Sequence, residues 1–398
     1  MTKKKIAFLT LSIVLLITLL TGALFGQQTQ KSNVYRYLSI FSEVFELVKT
    51  NYVDQVGSEK LMDGAFSGVT DAIDEFSYYV PPVQMAAYKK FVDVEDNGIG
   101  VIVTKRFGYA YVVAPVEGSP ADQGLDSGDF IEKIDGKATQ SMTAWQIRAA
   151  INQPRPVKLQ ILRGGETRRE EVTIEPASFH PVTVRNDTIS GIAYVKIPWF
   201  EEGTAQQFRA ALDSIRQKGT RKLIVDLRGN AGGSVDEAIR AADELLTSGL
   251  ITALEGRKIE EKKWQADRNT SFDGEVQVLT DLSTAAGAEV FASAIRGNSR
   301  GKVVGVTTYG KAIVQRFIPL PSGGGVQMTI GHYTTPELKA ITDTGVKPDV
   351  VVDLSSQALE DPEAKGKQEP KDDLILNRAL QLFGAKPPAA KIAEKKAA

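Results

Sequence analysis

The chain has 398 residues, 42% hydrophobic and 24% charged, which is enough apolar material for two or three cores. Its 48 Lys+Arg against 49 Asp+Glu leave a net charge of −1, so nothing suggests electrostatic binding of nucleic acid. Cysteine is absent, which excludes disulfides, thiol nucleophiles and Cys-based metal sites and fits an oxidising envelope compartment.

MTKKK precedes IAFLTLSIVLLITLLTGALF, residues 6–25, a stretch without charge. Twenty residues at ~1.5 Å rise make ~30 Å, one hydrocarbon thickness. Lys3, Lys4 and Lys5 stay cytoplasmic, so the body is expected on the far side of the membrane, in the periplasm or outside. Residues 1–26 are read as a retained signal anchor. A cleaved signal peptide is the alternative, and its small-residue pattern is weak, with Thr21 and Ala23 at best.

Residues 34–95 read as a helical region. Phe41, Val44, Phe45, Val48 and Tyr52 recur at three- and four-residue steps, a stripe expected to face a core. Tyr79-Val80-Pro81-Pro82 breaks the pattern. From 97 to 179 the texture changes to short strands, two helices and tight turns, a compact module. The helix at 143–151 packs Trp145 or Ile147, Ala149 and Ile151 inward, and residues 157–176 alternate by twos around Gly164-Gly165, a hairpin. Residues 185–354 alternate strands and helices, which argues an α/β layer. In the polar tail, 355–398, one amphipathic helix is expected at 372–383, and 384–398 are expected to be disordered.

Three stretches could carry chemistry. In DLRGNAGGSVDEA, 226–238, a buried strand ends at Asp226, and Ser234-x-x-Glu237 opens a helix as a capping box. Gly232 and Gly233 can there present bare amides at a helix N-terminus, a place that stabilises negative charge. No Lys-Ser/Thr pair follows, so this is not a phosphate-binding loop. In YGKAIVQ, 309–315, Lys311 precedes Ala312, Ile313 and Val314. An apolar setting lowers a lysine's pKa and yields a neutral amine able to act as general base. Gln315, four residues on, returns to the same face and can hold the amine. In STAAGAEVF, 283–291, small residues surround a strand-to-helix turn, and the position a nucleophile would take is Ala286. The amide of Gly287 would be a second oxyanion donor. Each stretch alone is equally an ordinary structural feature. His180 and His332, the only histidines, sit in no small-residue or acidic motif, which argues against a histidine base.

In this order the three stretches resemble the C-terminal processing (tail-specific) serine peptidases, which use a Ser–Lys dyad. Thr284-Ala285-Ala286-Gly287-Ala288-Glu289 matches the family's nucleophile segment, and Tyr309-Gly310-Lys311-Ala312-Ile313-Val314-Gln315 its lysine segment. Lys311 follows position 286 by the family's twenty-five residues. The resemblance runs from about Val34 to Asp353, and two departures stand out: Ala312 for glycine, and TTPELKAITDTG before the closing strand GVKPDVVV. It implies a helical N-terminal region, a PDZ domain (97–179) and an α/β peptidase core (185–354) with a β-rich bowl, an α+β / α/β multidomain chain. In the PDZ loop GIGV, the amides of Ile99, Gly100 and Val101 would capture a peptide's terminal carboxylate while the strand edge pairs with its backbone.

The resemblance implies a serine at 286 as nucleophile, Lys311 as base, Gln315 as its orienter and Gly232 or Gly233 with Gly287 as the oxyanion site. It implies protein or peptide substrates with apolar C-termini, and no metal or cofactor. A methyl group cannot attack a carbonyl, so the chain as written should be inert. A Ser→Ala substitution explains this better than a natural pseudopeptidase binding C-terminal peptides, since a buried lysine without a task costs stability. Ser283 is badly placed to substitute. A crotonase-type acyl enzyme shares glycine-amide oxyanion sites but gives no reason for a PDZ module.

Overall fold

A computed structural model describes residues 13–14, 16–17, 31–92, 98–163, 169–182, 184–267, 269–354 and 373–387. Met1–Val69 and Thr70–Ala398 form two compact units. In the first, α1 (Lys31–Asn51) is followed by α2 (Ser58–Asp71), whose last residues begin the second unit. Among the described residues the apolar stripe expected over 41–52 is largely exposed at Phe41, Val44 and Tyr52, although the Phe41 and Phe45 rings lie 6.1 Å apart. Periodicity fixes which face is apolar, not what covers it. The proposed anchor at 6–25 lies outside the described residues apart from Ile13, Val14, Leu16 and Ile17, which are helical. Among the described residues no helix is long and apolar enough to cross a membrane.

The second unit opens with β1 (Tyr78–Val80), three buried residues in the segment expected to be a break between helices, and α3 (Met85–Val92). Next come β2 (Val101–Arg106), β3 (Tyr109–Pro115), β4 (Phe130–Ile134), β5 (Lys137–Ala138), α4 (Ala144–Ile151), β6 (Val157–Leu162) and β7 (Arg169–Ile174). They make an antiparallel sheet of order β2-β3-β4-β6-β7, with β5 on β4, inside the expected 97–179 module. On α4 both expected packing choices are used. Ile147 and Ile151 join the core of this sheet, while Trp145 packs edge-on to Tyr88 of α3 at 5.5 Å. The Gly164-Gly165 turn lies outside the described residues, but β6 and β7 pair in register on either side of it.

The remaining elements are β8 (Arg185–Ile189), β9 (Ile192–Lys196), α5 (Thr204–Gln217), β10 (Lys222–Asp226), α6 (Val235–Asp243), β11 (Leu250–Glu255), β12 (Lys262–Gln265), β13 (Glu275–Thr280), α7 (Gly287–Gly297), β14 (Gly301–Gly305), β15 (Ile313–Pro319), β16 (Gly325–Tyr333), β17 (Val350–Val351) and α8 (Leu374–Leu382). One sheet runs β17-β14-β13-β10-β9-β8, parallel except for β8. Its strands alternate between two buried faces. Leu223, Val225, Val276 and Val278 pack under α5, α6 and α7, while Ile224, Leu279 and Val304 pack under α8. Each such side chain contributes roughly 1.5–3 kcal/mol by leaving water. The other sheet, antiparallel, runs β1-β16-β11-β12 with β15 on β16 and corresponds to the expected bowl. The expected tail helix is present as α8, and most of 384–398 lies outside the described residues.

Candidate active site

The turns at the carboxyl ends of parallel strands β10 and β13 lie side by side because the strands pair in register, Asp226 opposite Leu279. Hydrogen bonds lock them together. The Gly229 amide donates to both carboxylate oxygens of Asp281 at 3.2 and 3.1 Å, Thr284 Oγ1 donates to Leu227 O at 3.1 Å, and the Ala285 amide donates to Asn230 O at 2.8 Å. Burial raises the pKa of Asp281, opposed by the Gly229 amide and Arg228.

At the head of α7, Ala286 has φ 52° and ψ −120°. A residue with a Cβ is rarely held there, and such strain costs about 1–3 kcal/mol. What holds it is Glu289, fully buried, three residues on. Its Oε2 accepts the amides of Ala286 (3.0 Å) and Lys311 (2.7 Å), and its Oε1 accepts the Gly310 amide (2.6 Å) and the Thr308 hydroxyl. Burial pushes the Glu289 carboxyl up to about 7 against those four donors. Glu289 was assigned no role from sequence, although its offset from position 286 is that of a capping-box acid reaching back to the N-cap amide.

Lys311 precedes β15 and is partly buried. Its Nζ stands 5.1 Å from the centroid of the Phe76 ring. Burial, and then the charge of Arg148, lower its pKa to about 8, while Glu75 and Glu289 pull the other way. Gln315 was expected to hold the lysine. Its Nε2 donates instead to Phe76 O at 2.8 Å, so it fixes the residue beneath the ammonium. The four-residue offset is not that of a regular strand, since β15 begins at Ile313 and a bulge falls between Val314 and Gln315. Phe76 and the neighbouring Ser77 also donate their amides to Asp74 Oδ1, at 2.9 and 2.7 Å.

Gly287 lies against the head of α6, which follows the glycine loop. A side chain there would stand 3.0 Å from Ala238 Cβ and 3.4 Å from Ser234 O. Gly233, at φ 99°, could not be replaced, since a Cβ would fall 2.0 Å from Phe200 O. Gly232 lies under the Trp199 ring. Among the described residues nothing accepts the amides of Gly232, Gly233 or Gly287. Ala286, the three glycines and Lys311 therefore sit on adjoining segments, a strained turn beside uncommitted amides and a lysine of lowered pKa. Such a set suits acyl transfer once a hydroxyl occupies position 286.

The peptide-loop residues lie elsewhere. Ile99 is buried, Gly100 has φ 75° with Ser119 and Phe179 packed where its side chain would be, and Val101 starts β2, an edge strand. The carbonyls of Ile99 and Gly100 accept the amides of Ala121 and Val116, and no described residue accepts their amides. This module packs on the active loops: Tyr111 and Val113 of β3 share a cluster with Ala231 and Ala285, and the Tyr111 and Tyr309 rings stack at 6.4 Å. Tyr309 donates its hydroxyl to Glu75 at 2.6 Å.

Two family descriptions match, "Peptidase family S41" over residues 191–352 and "PDZ domain" over residues 111–163. The chain is 30% identical to the carboxy-terminal-processing protease of Bartonella bacilliformis, with 96% of each chain covered. It is 28% identical to the carboxy-terminal processing protease CtpA of Bacillus subtilis, over 85% of this chain and 73% of the relative. In fold it is similar to the photosystem II D1 C-terminal processing protease, with a TM-score of 0.65 at 23% identity over 79% of this chain and 92% of that one. The chain belongs to peptidase family S41, among the C-terminal-processing proteases that carry a PDZ domain.

Proposed function

We propose that the chain is the inert form of an exported serine endopeptidase that cleaves proteins at or near exposed apolar C-terminal tails by Ser–Lys chemistry. A serine in place of Ala286 attacks the scissile carbonyl, Lys311 takes its proton and returns it to the leaving amine, and Gln315 acts through Phe76. The amides of Gly287 and of Gly233 or Gly232 receive the oxyanion. Ile99, Gly100 and Val101 bind the substrate's terminal carboxylate, and residues 6–25 anchor the body to the membrane from the periplasmic or outer side. One observation carries the reading: a single buried carboxylate, Glu289, fixes the amides of both Ala286 and Lys311.

The test is gain of function. Ala286→Ser should cleave an unstructured protein with an apolar C-terminus, the parent chain serving as blank. Lys311→Ala in that background should abolish cleavage, since a serine hydroxyl without a nearby base is a poor nucleophile at neutral pH. A folded but inert Ala286→Ser chain would instead make this a peptide-binding pseudopeptidase. Fractionation tests the location: a soluble mature form starting near Leu24 would show that 6–25 is a cleaved signal.

A further inference from the structure

The C-terminal helix α8 covers the face of the parallel sheet opposite α5, α6 and α7, with Ile375, Leu376, Ala379 and Leu380 on Ile224, Leu279 and Val304. Cover of that kind needs only apolar residues. The residue that caps the helix does something else. Asp373 caps α8 by accepting the Leu376 amide at 2.9 Å, and the same oxygen accepts Arg228 Nη1 at 2.6 Å. Arg228 is also clasped by Asp226, with Nε 2.9 and 3.0 Å from the two carboxylate oxygens and Nη2 2.6 Å from Oδ2. Asp226 is 1% exposed, Arg228 18% and Asp373 14%, so these ion pairs are shielded from solvent screening.

Arg228 opens the loop that runs to Gly232 and Gly233, and the next amide, Gly229, is held by Asp281 of the nucleophile turn. Burial opposes ionisation of Asp226, but Arg228, Lys196 and the Tyr194 hydroxyl outweigh it and keep the carboxyl below the usual range. The guanidinium therefore has a charged partner on each side, one from the strand that ends at the loop and one from the tail.

We propose that Asp373 is a positioning residue for the oxyanion loop, fixing Arg228 from the tail so that the amides of Gly232 and Gly233 keep their place. The inference rests on the oxyanion role given to those glycines above. A merely structural role differs from it in one respect. As an N-cap, Asp is replaceable by Asn at little cost. As the charged partner of Arg228, it is not.

The experiment uses the full-length Ala286→Ser chain with Asp373→Asn, Asp373→Glu and, as a control on helix packing, Leu380→Ala. Displacing an oxyanion donor costs less than deleting one, so kcat of Asp373→Asn, measured at temperatures where the variant is folded, should fall about tenfold, ~1.4 kcal/mol, with KM nearly unchanged, while loss of the shielded partner of Arg228 lowers Tm. Asp373→Glu should recover most of kcat. Leu380→Ala should lower Tm yet keep kcat at temperatures where it is folded. Unchanged kcat in Asp373→Asn, or an equal kcat loss in Leu380→Ala, overturns the proposal. Hydrogen exchange of the 228–233 amides, measured in the Ala286 parent and its Asp373→Asn variant, gives a readout independent of turnover. Faster exchange confined to that loop supports the positioning role, and identical exchange refutes it. An inert Ala286→Ser chain would refute the peptidase reading alone, leaving the exchange result to decide this one.

Discussion

Ala286 and Lys311 hang their backbone amides on the same oxygen, Oε2 of Glu289, at 3.0 and 2.7 Å. The strained turn and the lysine segment are thereby fixed to each other through backbone, not through their side chains. Side-chain changes at either position should leave the frame in place, and changes at Glu289 should not.

Glu289→Gln is the direct check. Four donors converge on the two oxygens, and an amide offers only one oxygen, so one pair of donors would face an NH2 group. Each buried donor left without an acceptor costs about 1–3 kcal/mol. Urea denaturation should show Glu289→Gln destabilised by roughly 2–5 kcal/mol. A loss under about 1 kcal/mol would mean that the carboxylate does not hold these segments.

Ala286→Gly should stabilise the chain. Glycine takes φ 52° without a Cβ clash, a relief of about 1–3 kcal/mol set against roughly 0.5–1 kcal/mol of extra chain entropy. The expected net gain is about 1 kcal/mol in denaturant melts. A net loss would mean that the turn is not strained.

Lys311→Met should stabilise the chain in a pH-dependent way. The unfolded lysine keeps its proton up to 10.5 and the folded one releases it near 8. Between those values the unfolded chain binds more protons, so stability rises with pH, and the cost of burying the charge is fully present below pH 8. At pH 7 methionine should therefore gain up to about 3 kcal/mol, shrinking towards nothing as pH passes 10.5. A gain that does not vary with pH would point to packing alone.

The same titration should appear in turnover. In the Ala286→Ser chain, kcat/KM should rise with pH through about 8 and then level off. Arg148 lowers the lysine's pKa, so Arg148→Ala should move that inflection upward and slow cleavage at pH 7. An inflection that stays put in the variant would rule out Arg148 as a tuning charge.

The carboxylate loop can be tested without catalysis. A peptide ending in an apolar residue should bind the Ala286 chain more than tenfold tighter than its C-terminally amidated twin, a charge-assisted contact contributing about 1.5–3 kcal/mol. Equal affinities in calorimetry would remove Ile99, Gly100 and Val101 from the site.

Local pattern was enough for several features, because each is encoded within one turn or strand. The N-cap at Ser234, whose Oγ accepts the Glu237 amide at 3.3 Å, the alternation of β6 and β7, the small-residue turn at Ala286 and the apolar setting of Lys311 could all be read in the sequence. The expected capping box closes only on that side, since the Ser234 amide donates to Phe200 O and the Glu237 carboxylate accepts the Ala205 amide and Arg240. The spacing of the glycine loop, the turn and the lysine segment also named the family. Tertiary structure alone decided what joins them. Phe76 reaches Lys311 and Gln315 from more than two hundred residues away in sequence, and Asp373 reaches Arg228 across a separation of 145. The exposure of the α1 stripe and the place of Tyr78–Val80 as a strand beside β16 were likewise settled by packing. Periodicity records which face of an element is apolar, but partners, burial and the charges that set a pKa come from segments that the chain brings together only when it folds.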